Sequence, residues 1–173
     1  VSVCGAARVT SPIAAAAEEM VRTALEHFDV VGVLCIELFL TSDGQLVVNE
    51  IAPRPHNSGH LTIEAYNCSQ FELQLRAVCG LPATSLNVRS PVAAMANLLG
   101  RHLPDHWSAD HIDGFAAPET HLHLYGKSGR QANRKMGHIT ALGSSGAAAE
   151  QNVRTLRSQL CSGVVAAQPQ RSL

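Results

Sequence analysis

The sequence has no surplus of charge of either sign. Thirteen lysines and arginines are balanced by fourteen aspartates and glutamates, which gives a formal net charge of −1 over 173 residues. Such a balance provides no basic footprint for nucleic acid and no attraction to an acidic membrane. The sequence also lacks an apolar run approaching the roughly 20 residues of a membrane-spanning helix. We therefore expect neither nucleic-acid nor membrane partners.

Cysteine is present without a pattern. The number of cysteines is odd, and their spacing matches no disulfide framework; they are Cys4, Cys35, Cys68, Cys79 and Cys161. The histidine pairs His56/His60 and His121/His123 lack the cysteine partners or the His-Glu-x-x-His arrangement of common zinc sites. We expect reduced thiols in a cytoplasmic protein, with Cys35 as a small core residue.

The most unusual string lies at residues 49–60, Asn-Glu-Ile-Ala-Pro-Arg-Pro-His-Asn-Ser-Gly-His. An apolar strand at 46–48 leads into Glu50, and the two prolines around Arg54 restrict the backbone of the following turn. Polar side chains on a stiff loop after a strand are typical of a binding site on a rigid scaffold. A solvated turn is the alternative interpretation.

A second carboxylate, Glu37, lies in the apolar run 30–40, and a turn at 41–44 separates this run from the strand 45–51. The pattern predicts a β-hairpin. A two-residue loop would pair residue 37 with 50, whereas a four-residue loop would leave Glu50 diagonal to Glu37. Because side chains alternate with period two, both registers put the glutamates on one face, roughly 5 to 8 Å apart. Only an odd loop or a bulge would separate them.

Two carboxylates on one face of an apolar hairpin repel each other unless a positive group lies between them. Oxygen ligands at this separation suit Mg²⁺, which binds through one or two carboxylates, waters and substrate phosphates. We therefore predict a magnesium site at Glu37 and Glu50. The alternative is that one glutamate faces solvent or pairs with Arg54.

A cationic cluster surrounds a short connection between two predicted strands. Its side chains are Lys127, Arg130, Arg134 and Lys135, with His138 close behind. Arginine offers bidentate contacts to a phosphate and lysine a point charge, so the cluster is a candidate phosphate site. A solvated hairpin tip is equally compatible with this spacing.

The remaining segments predict a packing scaffold. Ser11 and Pro12 indicate the start of one helix, and Ser69 with Glu72 indicates a capping box at another. Further predicted elements are a buried strand at 91–99, a helical turn at 105–110, strands at 121–125 and 136–142, a helix at 147–160 and a frayed tail from Gln168. We place two domains at 1–90 and 91–173.

Together these motifs resemble the ATP-grasp family, and specifically the N5-carboxyaminoimidazole ribonucleotide synthetases of purine biosynthesis. The resemblance is carried by the strand glutamate, the hairpin, the Asn-Glu pair and the string through residue 76, and it runs from about Pro12 to about Gly143. The formate-using glycinamide ribonucleotide transformylases share the Pro-Arg-Pro-His string but typically continue with Asp-Thr-Gly. Here Asn57-Ser58-Gly59-His60 follows Pro55 and His56, which favours the synthetases.

The resemblance implies an α+β fold, namely the carboxy-terminal half of an ATP-grasp domain (an antiparallel sheet with packing helices) followed by a small, mostly β domain. It also implies an ATP-dependent ligase. In this family ATP phosphorylates bicarbonate to carboxyphosphate, and the released CO₂ is captured by the amine of 5-aminoimidazole ribonucleotide. Magnesium is the implied metal, and a homodimer is the implied assembly of the complete enzyme.

The resemblance also assigns roles to individual residues around the hairpin. Glu37 and Glu50 would bind Mg²⁺ at the ATP phosphates, and Asn49 with Glu50 would contact the nucleotide. Arg54 would neutralise the bicarbonate or the transferring phosphoryl group. Asn57 would complete a metal or phosphate contact, and His56 and Asn57 would face the imidazole amine. The implied catalytic set is therefore Arg54, His56 and Asn57. Asn49 is expected on the strand face opposite Glu50.

In the same family, the segments that match the cationic cluster meet the ribose phosphate of the substrate. This role carries over to Lys127, Arg134 and Lys135, whereas Arg130 matches less well. Complete synthetases also have an amino-terminal domain and the first half of the ATP-grasp domain. Because this chain begins at Val1 and contains neither, we expect a piece of a longer protein that is inactive alone. The alternatives are another ATP-grasp carboxylate–amine ligase acting on a ribonucleotide, or a non-catalytic ATP-grasp remnant.

Overall fold

Two antiparallel sheets organise the chain, and the computed structural model describes residues 2–5, 9–90 and 92–162. One structural unit lies within residues 6–89, and the other combines residues 1–5 with 90–173. The strands are β1 (Ser2–Gly5), β2 (Cys35–Leu40), β3 (Leu46–Ala52), β4 (Val92–Leu99), β5 (Thr120–Leu124) and β6 (Lys135–Leu142). The helices are α1 (Ser11–Phe28), α2 (Thr62–Ala65), α3 (Gln70–Val78), α4 (Ala109–Asp113) and α5 (Gly146–Ser162), with 3₁₀ turns at Asn57–Gly59 and Gly100–His102.

The hairpin β2–β3 reaches the predicted pairing by an unexpected route. Its loop is residues 41–45, and Gly44 adopts a positive φ of 84° within it. Because Leu40 pairs with Leu46, this odd loop alone would set residue 37 opposite residue 49. A bulge after Glu37 then adds one residue to β3, so Glu37 pairs with Glu50. The prediction that the two glutamates share a face is confirmed, because the offsets of loop and bulge cancel.

The helices of the 6–89 unit begin close to their predicted positions. The N-cap of α1 is Thr10 rather than the predicted Ser11, and its side chain makes no capping hydrogen bond. At α3 the Ser69 hydroxyl accepts a hydrogen bond from the backbone N–H of Glu72 at 3.2 Å. The Glu72 carboxylate pairs with Arg76 along the helix, so half of the predicted capping box is formed.

Replacing Ser69 by alanine is expected to lower the free energy of unfolding by about 1 kcal/mol, because the N–H of Glu72 loses its acceptor. Thermal or urea unfolding of the 173-residue chain measures the change. Thr10→Ala is the matched control, since it removes an N-cap residue that makes no side-chain capping bond. Equal losses for the two variants would contradict the assignment.

The second unit is a four-stranded sheet covered by one helix. The strand order is β1–β4–β6–β5, all neighbours antiparallel, and α5 packs on β4 and β6. The alanines of β4 let α5 approach the sheet closely, because they carry only a methyl group. The buried core is Ala94, Ala96, Leu98, Ile139, Ala141, Ala149, Val153, Leu156 and Leu160. The predicted strands at 91–99, 121–125 and 136–142 and the helix at 147–160 are confirmed within one or two residues.

Three features of this unit differ from the sequence prediction or extend it. The helical turn expected at 105–110 is α4, which begins after Ser108 because the His111 ring Nδ1 accepts from the Ser108 N–H at 3.0 Å. The strand β1 pairs with β4, whereas the proposed boundary groups residues 1–90 together. The predicted tail from Gln168 lies outside the described residues.

The α+β class with antiparallel sheets and packing helices is confirmed. Within the described ranges, no helix combines the length and the apolar character needed to cross a membrane.

Candidate functional site

The imidazole of His56 lies between the two hairpin carboxylates. His56 Nδ1 is 3.3 Å from Glu37 Oε1, and His56 Nε2 is 3.6 Å from Glu50 Oε1. The His56 side chain is 12% exposed, compared with 35% for Glu37 and 49% for Glu50. One ligand atom from each of the three residues lies within 4.8 Å of the others. The side chain that lies between the two glutamates is thus that of a histidine.

The bulge also redirects Asn49. Asn49 is the extra residue of β3, and its Nδ2 donates a hydrogen bond to Glu37 Oε2 at 3.3 Å. In a regular strand Asn49 would point away from its neighbour Glu50, as expected from the sequence. A bulge breaks this alternation, so the amide reaches the carboxylate face. The expectation that Asn49 lies on the opposite face is therefore wrong.

Ser58 contacts the same His56 ring nitrogen that faces Glu37. Its hydroxyl lies 2.9 Å from His56 Nδ1 and 3.7 Å from the Cys35 sulfur. Burial is the main factor that raises the pKa of the Cys35 thiol, and the Ser58 hydrogen bond opposes it. The carboxylates of Glu37 and Glu50 raise this pKa further. Cys35 is half-buried beside the site, and sequence reasoning had assigned it only to the core.

Cys35 is expected to react more slowly with iodoacetamide at neutral pH than the exposed Cys79. The raised pKa leaves less thiolate, which is the reactive form, and the fold shields the sulfur. Because a raised pKa holds the thiol protonated, the difference should shrink as the pH rises through it. Peptide mass spectrometry over a time course measures both rates. Faster labelling of Cys35 than of Cys79 would contradict this assignment.

The other two expected catalytic residues flank His56 on the loop. Arg54 is exposed, and its Nη1 donates to the carbonyl of Pro55 at 3.0 Å. The side chain between the glutamates is therefore His56 and not Arg54, the ion-pair partner considered from the sequence. Asn57 is half-buried and opens the 3₁₀ turn, where its carbonyl accepts from the His60 N–H at 3.2 Å.

The donor set at the hairpin fits a divalent cation. The carboxylates of Glu37 and Glu50 are hard oxygen ligands that suit Mg²⁺, and His56 adds a nitrogen that is also common at transition metals. The partial exposure of both glutamates leaves room for the waters and phosphate oxygens that Mg²⁺ retains. Spacing alone did not reveal His56 as a third donor, because it follows Glu50 through an irregular loop.

In the second unit, the predicted phosphate-binding residues gather around the β5–β6 connection. Lys127 Nζ donates to the carbonyl of Lys135 at 2.9 Å and lies 5.1 Å from the centre of the Tyr125 ring. Arg134 Nη1 donates to the carbonyl of Ser128 at 3.0 Å. All three expected cations, Lys127, Arg134 and Lys135, are exposed. Lys127 therefore contacts the backbone of Lys135 directly, and Arg134 lies on the same connection.

The other basic residues of this region have structural contacts. Arg130 forms an ion pair with Asp105 and donates from Nε to the carbonyl of Gly100 at 2.7 Å. His138 is 2% exposed and stacks on His123 with ring centroids 4.4 Å apart. His138 therefore belongs to the buried scaffold of the connection, whereas Arg130 is exposed and held by Asp105 and the Gly100 carbonyl.

Tyr125 connects the stacked histidines, His123 and His138, to the exposed cation Lys127. Its hydroxyl lies 2.8 Å from His138 Nδ1, and burial raises the pKa of Tyr125 to about 12. Because the raised pKa keeps the phenol neutral at ordinary pH, Lys127 contacts the face of an uncharged aromatic ring and forms no ion pair with it. Tyr125 therefore orients Lys127 but does not neutralise it.

Comparison with known proteins relates both parts of the chain to one family. The family model for the ATP-grasp domain matches residues 1–71, and the model for the phosphoribosylaminoimidazole carboxylase C-terminal domain matches residues 93–152. The N5-carboxyaminoimidazole ribonucleotide synthase of Synechocystis sp. is 43% identical over 145 residues, which cover 79% of this chain and 37% of the relative. The enzyme of the same name from Mycobacterium bovis is 47% identical over 135 residues, which cover 76% of this chain and 31% of the relative. The chain thus spans about a third of the length of these two relatives.

Solved structures agree with the sequence matches. The N5-carboxyaminoimidazole ribonucleotide synthetase from Thermotoga maritima superimposes with a TM-score of 0.77 at 37% identity, over 88% of this chain and 43% of that structure. The Aspergillus clavatus enzyme, solved with ADP and 5-aminoimidazole ribonucleotide, gives a TM-score of 0.77 at 35% identity, over 92% of this chain and 42% of that structure. The chain therefore belongs to the N5-carboxyaminoimidazole ribonucleotide synthetase family of ATP-grasp proteins, of which it represents the carboxy-terminal part.

Proposed function

We propose that this chain supplies the metal-binding end of the ATP site and the ribonucleotide-phosphate site of an ATP-dependent ligase. The reaction is the carboxylation of 5-aminoimidazole ribonucleotide to N5-carboxyaminoimidazole ribonucleotide with ATP and bicarbonate, in purine biosynthesis in the cytoplasm. The observation that carries the proposal is the convergence of Glu37, Glu50 and His56, with ligand atoms within 4.8 Å of one another. The complete enzyme is proposed to act as a homodimer.

In this proposal Glu37 and Glu50 hold Mg²⁺, which neutralises the phosphate charge of bound ATP. Asn49 keeps the Glu37 carboxylate oriented through its 3.3 Å hydrogen bond, as side chains that hydrogen-bond to metal ligands commonly do. Asn49 and Glu50 also contact the nucleotide. Phosphoryl transfer depends on positioning and charge more than on covalent help, so rigid placement of these groups is their main contribution.

The loop residues serve the acceptor side of the reaction. Arg54, exposed and tied only to its neighbour's carbonyl in the described contacts, binds the anionic bicarbonate. His56 and Asn57 serve the amine of the aminoimidazole, His56 from its place between the two glutamates, where the Ser58 hydroxyl lies 2.9 Å from its Nδ1. In the second unit, Lys127, Arg134 and Lys135 bind the phosphate of the ribonucleotide.

A hybrid enzyme tests the proposal. The segment of the Synechocystis synthase that aligns with this chain, 145 residues at 43% identity, is replaced by the sequence described here. We expect ADP release that requires both bicarbonate and 5-aminoimidazole ribonucleotide, whereas the 173-residue chain alone shows no turnover. A folded hybrid that binds ATP but carboxylates nothing would support a non-catalytic remnant. Activity on a different ribonucleotide amine would support another ligase of the family.

A further inference from the structure

The loop that carries His56 has its backbone held by a side chain. Gln70, the first residue of α3, accepts a hydrogen bond from the His56 N–H through Oε1 at 2.8 Å. The same amide donates from Nε2 to the His56 carbonyl, also at 2.8 Å. One glutamine therefore pairs with both backbone polar groups of one residue, as a neighbouring strand would. His56 has the extended backbone that suits this pairing, with φ −121° and ψ 156°.

The environment of Gln70 shows that this contact is built into the fold. Gln70 is 6% exposed, and its Nε2 also lies 2.8 Å from His60 Nδ1. Its own N–H donates to the Thr62 hydroxyl at 2.9 Å, and that hydroxyl donates to the Gly59 carbonyl at 2.6 Å. The helix start, the short helix α2 and the histidine loop are thus joined by one hydrogen-bond network.

Gly59 makes room for the glutamine. A Cβ at this position would lie 2.4 Å from Gln70 Oε1 and 2.8 Å from its Cδ, so any other residue would push the amide away. Gly59 in the string Asn57-Ser58-Gly59-His60 and Gln70 therefore act together. The glycine leaves room for the Gln70 amide, and the amide holds the backbone of His56.

We infer that Gln70 is a positioning residue, which fixes the His56 backbone so that its ring lies between Glu37 and Glu50. The effect on catalysis rests on the proposed function, but the effect on the ring does not. No isostere reproduces the contact, because glutamate cannot donate to the His56 carbonyl and methionine can neither donate nor accept strongly. Loss of Gln70 removes the acceptor of the His56 N–H and one of two donors to its carbonyl, which also accepts from the Gly59 N–H at 3.0 Å. The backbone that carries the ring is then less firmly held, and the ring shifts relative to the two glutamates.

A pair of glutamine variants on the same helix tests the inference. Gln70→Met removes the amide with little change of volume. Gln74→Met, one turn along, removes a comparable bond, in which Gln74 Oε1 accepts from the Val33 N–H at 2.7 Å. The readout is the ring ¹H–¹⁵N NMR spectrum of the 173-residue chain labelled at histidine, with His56 assigned by His56→Gln. We expect Gln70→Met to shift the His56 ring signals and Gln74→Met to leave them in place.

Titration with Mn²⁺, as a paramagnetic substitute for Mg²⁺, gives a second readout on the same samples. We expect Gln70→Met to weaken Mn²⁺ binding about 10- to 100-fold, because His56 is one of the three donors and groups that orient a metal ligand typically contribute this much. Gln74→Met should have no effect. If the unmodified chain did not bind Mn²⁺, the proposed function would lose its metal site, and the His56 signals would still decide the role of Gln70. An unshifted His56 ring in folded Gln70→Met would overturn the inference.

Gly59→Ala provides a second route if Gln70→Met does not fold. The added methyl group displaces the Gln70 amide while leaving the residue itself in place. The same shift of the His56 ring signals is expected. A Gly59→Ala spectrum in which those signals are unchanged would equally overturn the inference.

Discussion

Replacement of Glu50 by glutamine is expected to lower the rate of ADP formation in the hybrid enzyme by about a hundred- to a thousandfold, while the hairpin stays folded. The amide keeps the shape of the side chain but loses the charge that a divalent cation requires. The fold tolerates the change because Glu50 is 49% exposed and lies 3.6 Å from His56 Nε2 without a closer ion pair among the described contacts. Steady-state rates with saturating ATP and bicarbonate measure the effect.

Glu19→Gln is the control for this experiment. Glu19 lies on α1, is 71% exposed and pairs with Arg22 at 3.5 Å, so its neutralisation should change neither rate nor stability. Unchanged ADP production in Glu50→Gln would remove Glu50 from the metal site. Equal rate losses in both variants would point to a general effect of charge.

Arg134→Ala is expected to raise the KM for 5-aminoimidazole ribonucleotide about 10- to 100-fold in the hybrid and to leave the KM for ATP nearly unchanged. A guanidinium has five N–H donors and keeps its charge, and the bond from Nη1 to Ser128 anchors it at the β5–β6 connection. Charge-assisted hydrogen bonds to a dianion are worth about 1.5–3 kcal/mol each, which corresponds to this change. The two KM values are measured separately.

Arg154→Ala is the matched control within the same unit. Arg154 is an arginine of α5, 51% exposed and paired with Glu150 at 2.6 Å, and it is remote in sequence from the cationic connection. Its loss should leave both KM values unchanged. A loss of Arg134 that raised the two KM values equally, or neither, would make the cationic cluster a solvated hairpin tip.

The hairpin shows both the strength and the limit of sequence reasoning. Alternation of side chains correctly predicted that Glu37 and Glu50 share a face. The actual loop and bulge each violate the assumed register, and nothing in the local sequence announces that they occur together. The same bulge turned Asn49 towards Glu37, which a strictly alternating strand does not allow. The alternation of side chains therefore predicts which face of a hairpin a residue lies on more reliably than it predicts which side chains that residue contacts.

The placement of His56 depended on tertiary contacts that no local pattern encodes. Its ring position follows from Gln70, fourteen residues further along the chain, and from the space left by Gly59. The helix start at Ser69 was predictable, because capping signals are local. The contact of Gln70 with the His56 backbone was not predictable, since a glutamine at a helix start carries no signal for a partner elsewhere in the chain.

In the sheet, the continuous apolar run at 91–99 predicted β4 well, because a strand buried on both faces needs such a run. His138 looked like part of the cationic cluster in the sequence, yet it lies in β6, where six consecutive residues are buried, and it stacks on His123. The α4 turn was displaced because a serine and a histidine three residues apart cap it. These corrections all come from side-chain contacts rather than from the backbone pattern.

The pairing of β1 with β4 has a consequence for how the chain folds. Ser2 lies opposite Met95, so about ninety residues separate two strands that are neighbours in one sheet. During synthesis the partner of β1 emerges only after the whole 6–89 unit, and contacts so distant in sequence slow folding. Until β1 docks, β4 presents an unpaired, alanine-rich edge that could pair with another chain. Early folding of residues 6–89 would bring the ends of this insertion together, and so would shorten the search that closes the sheet.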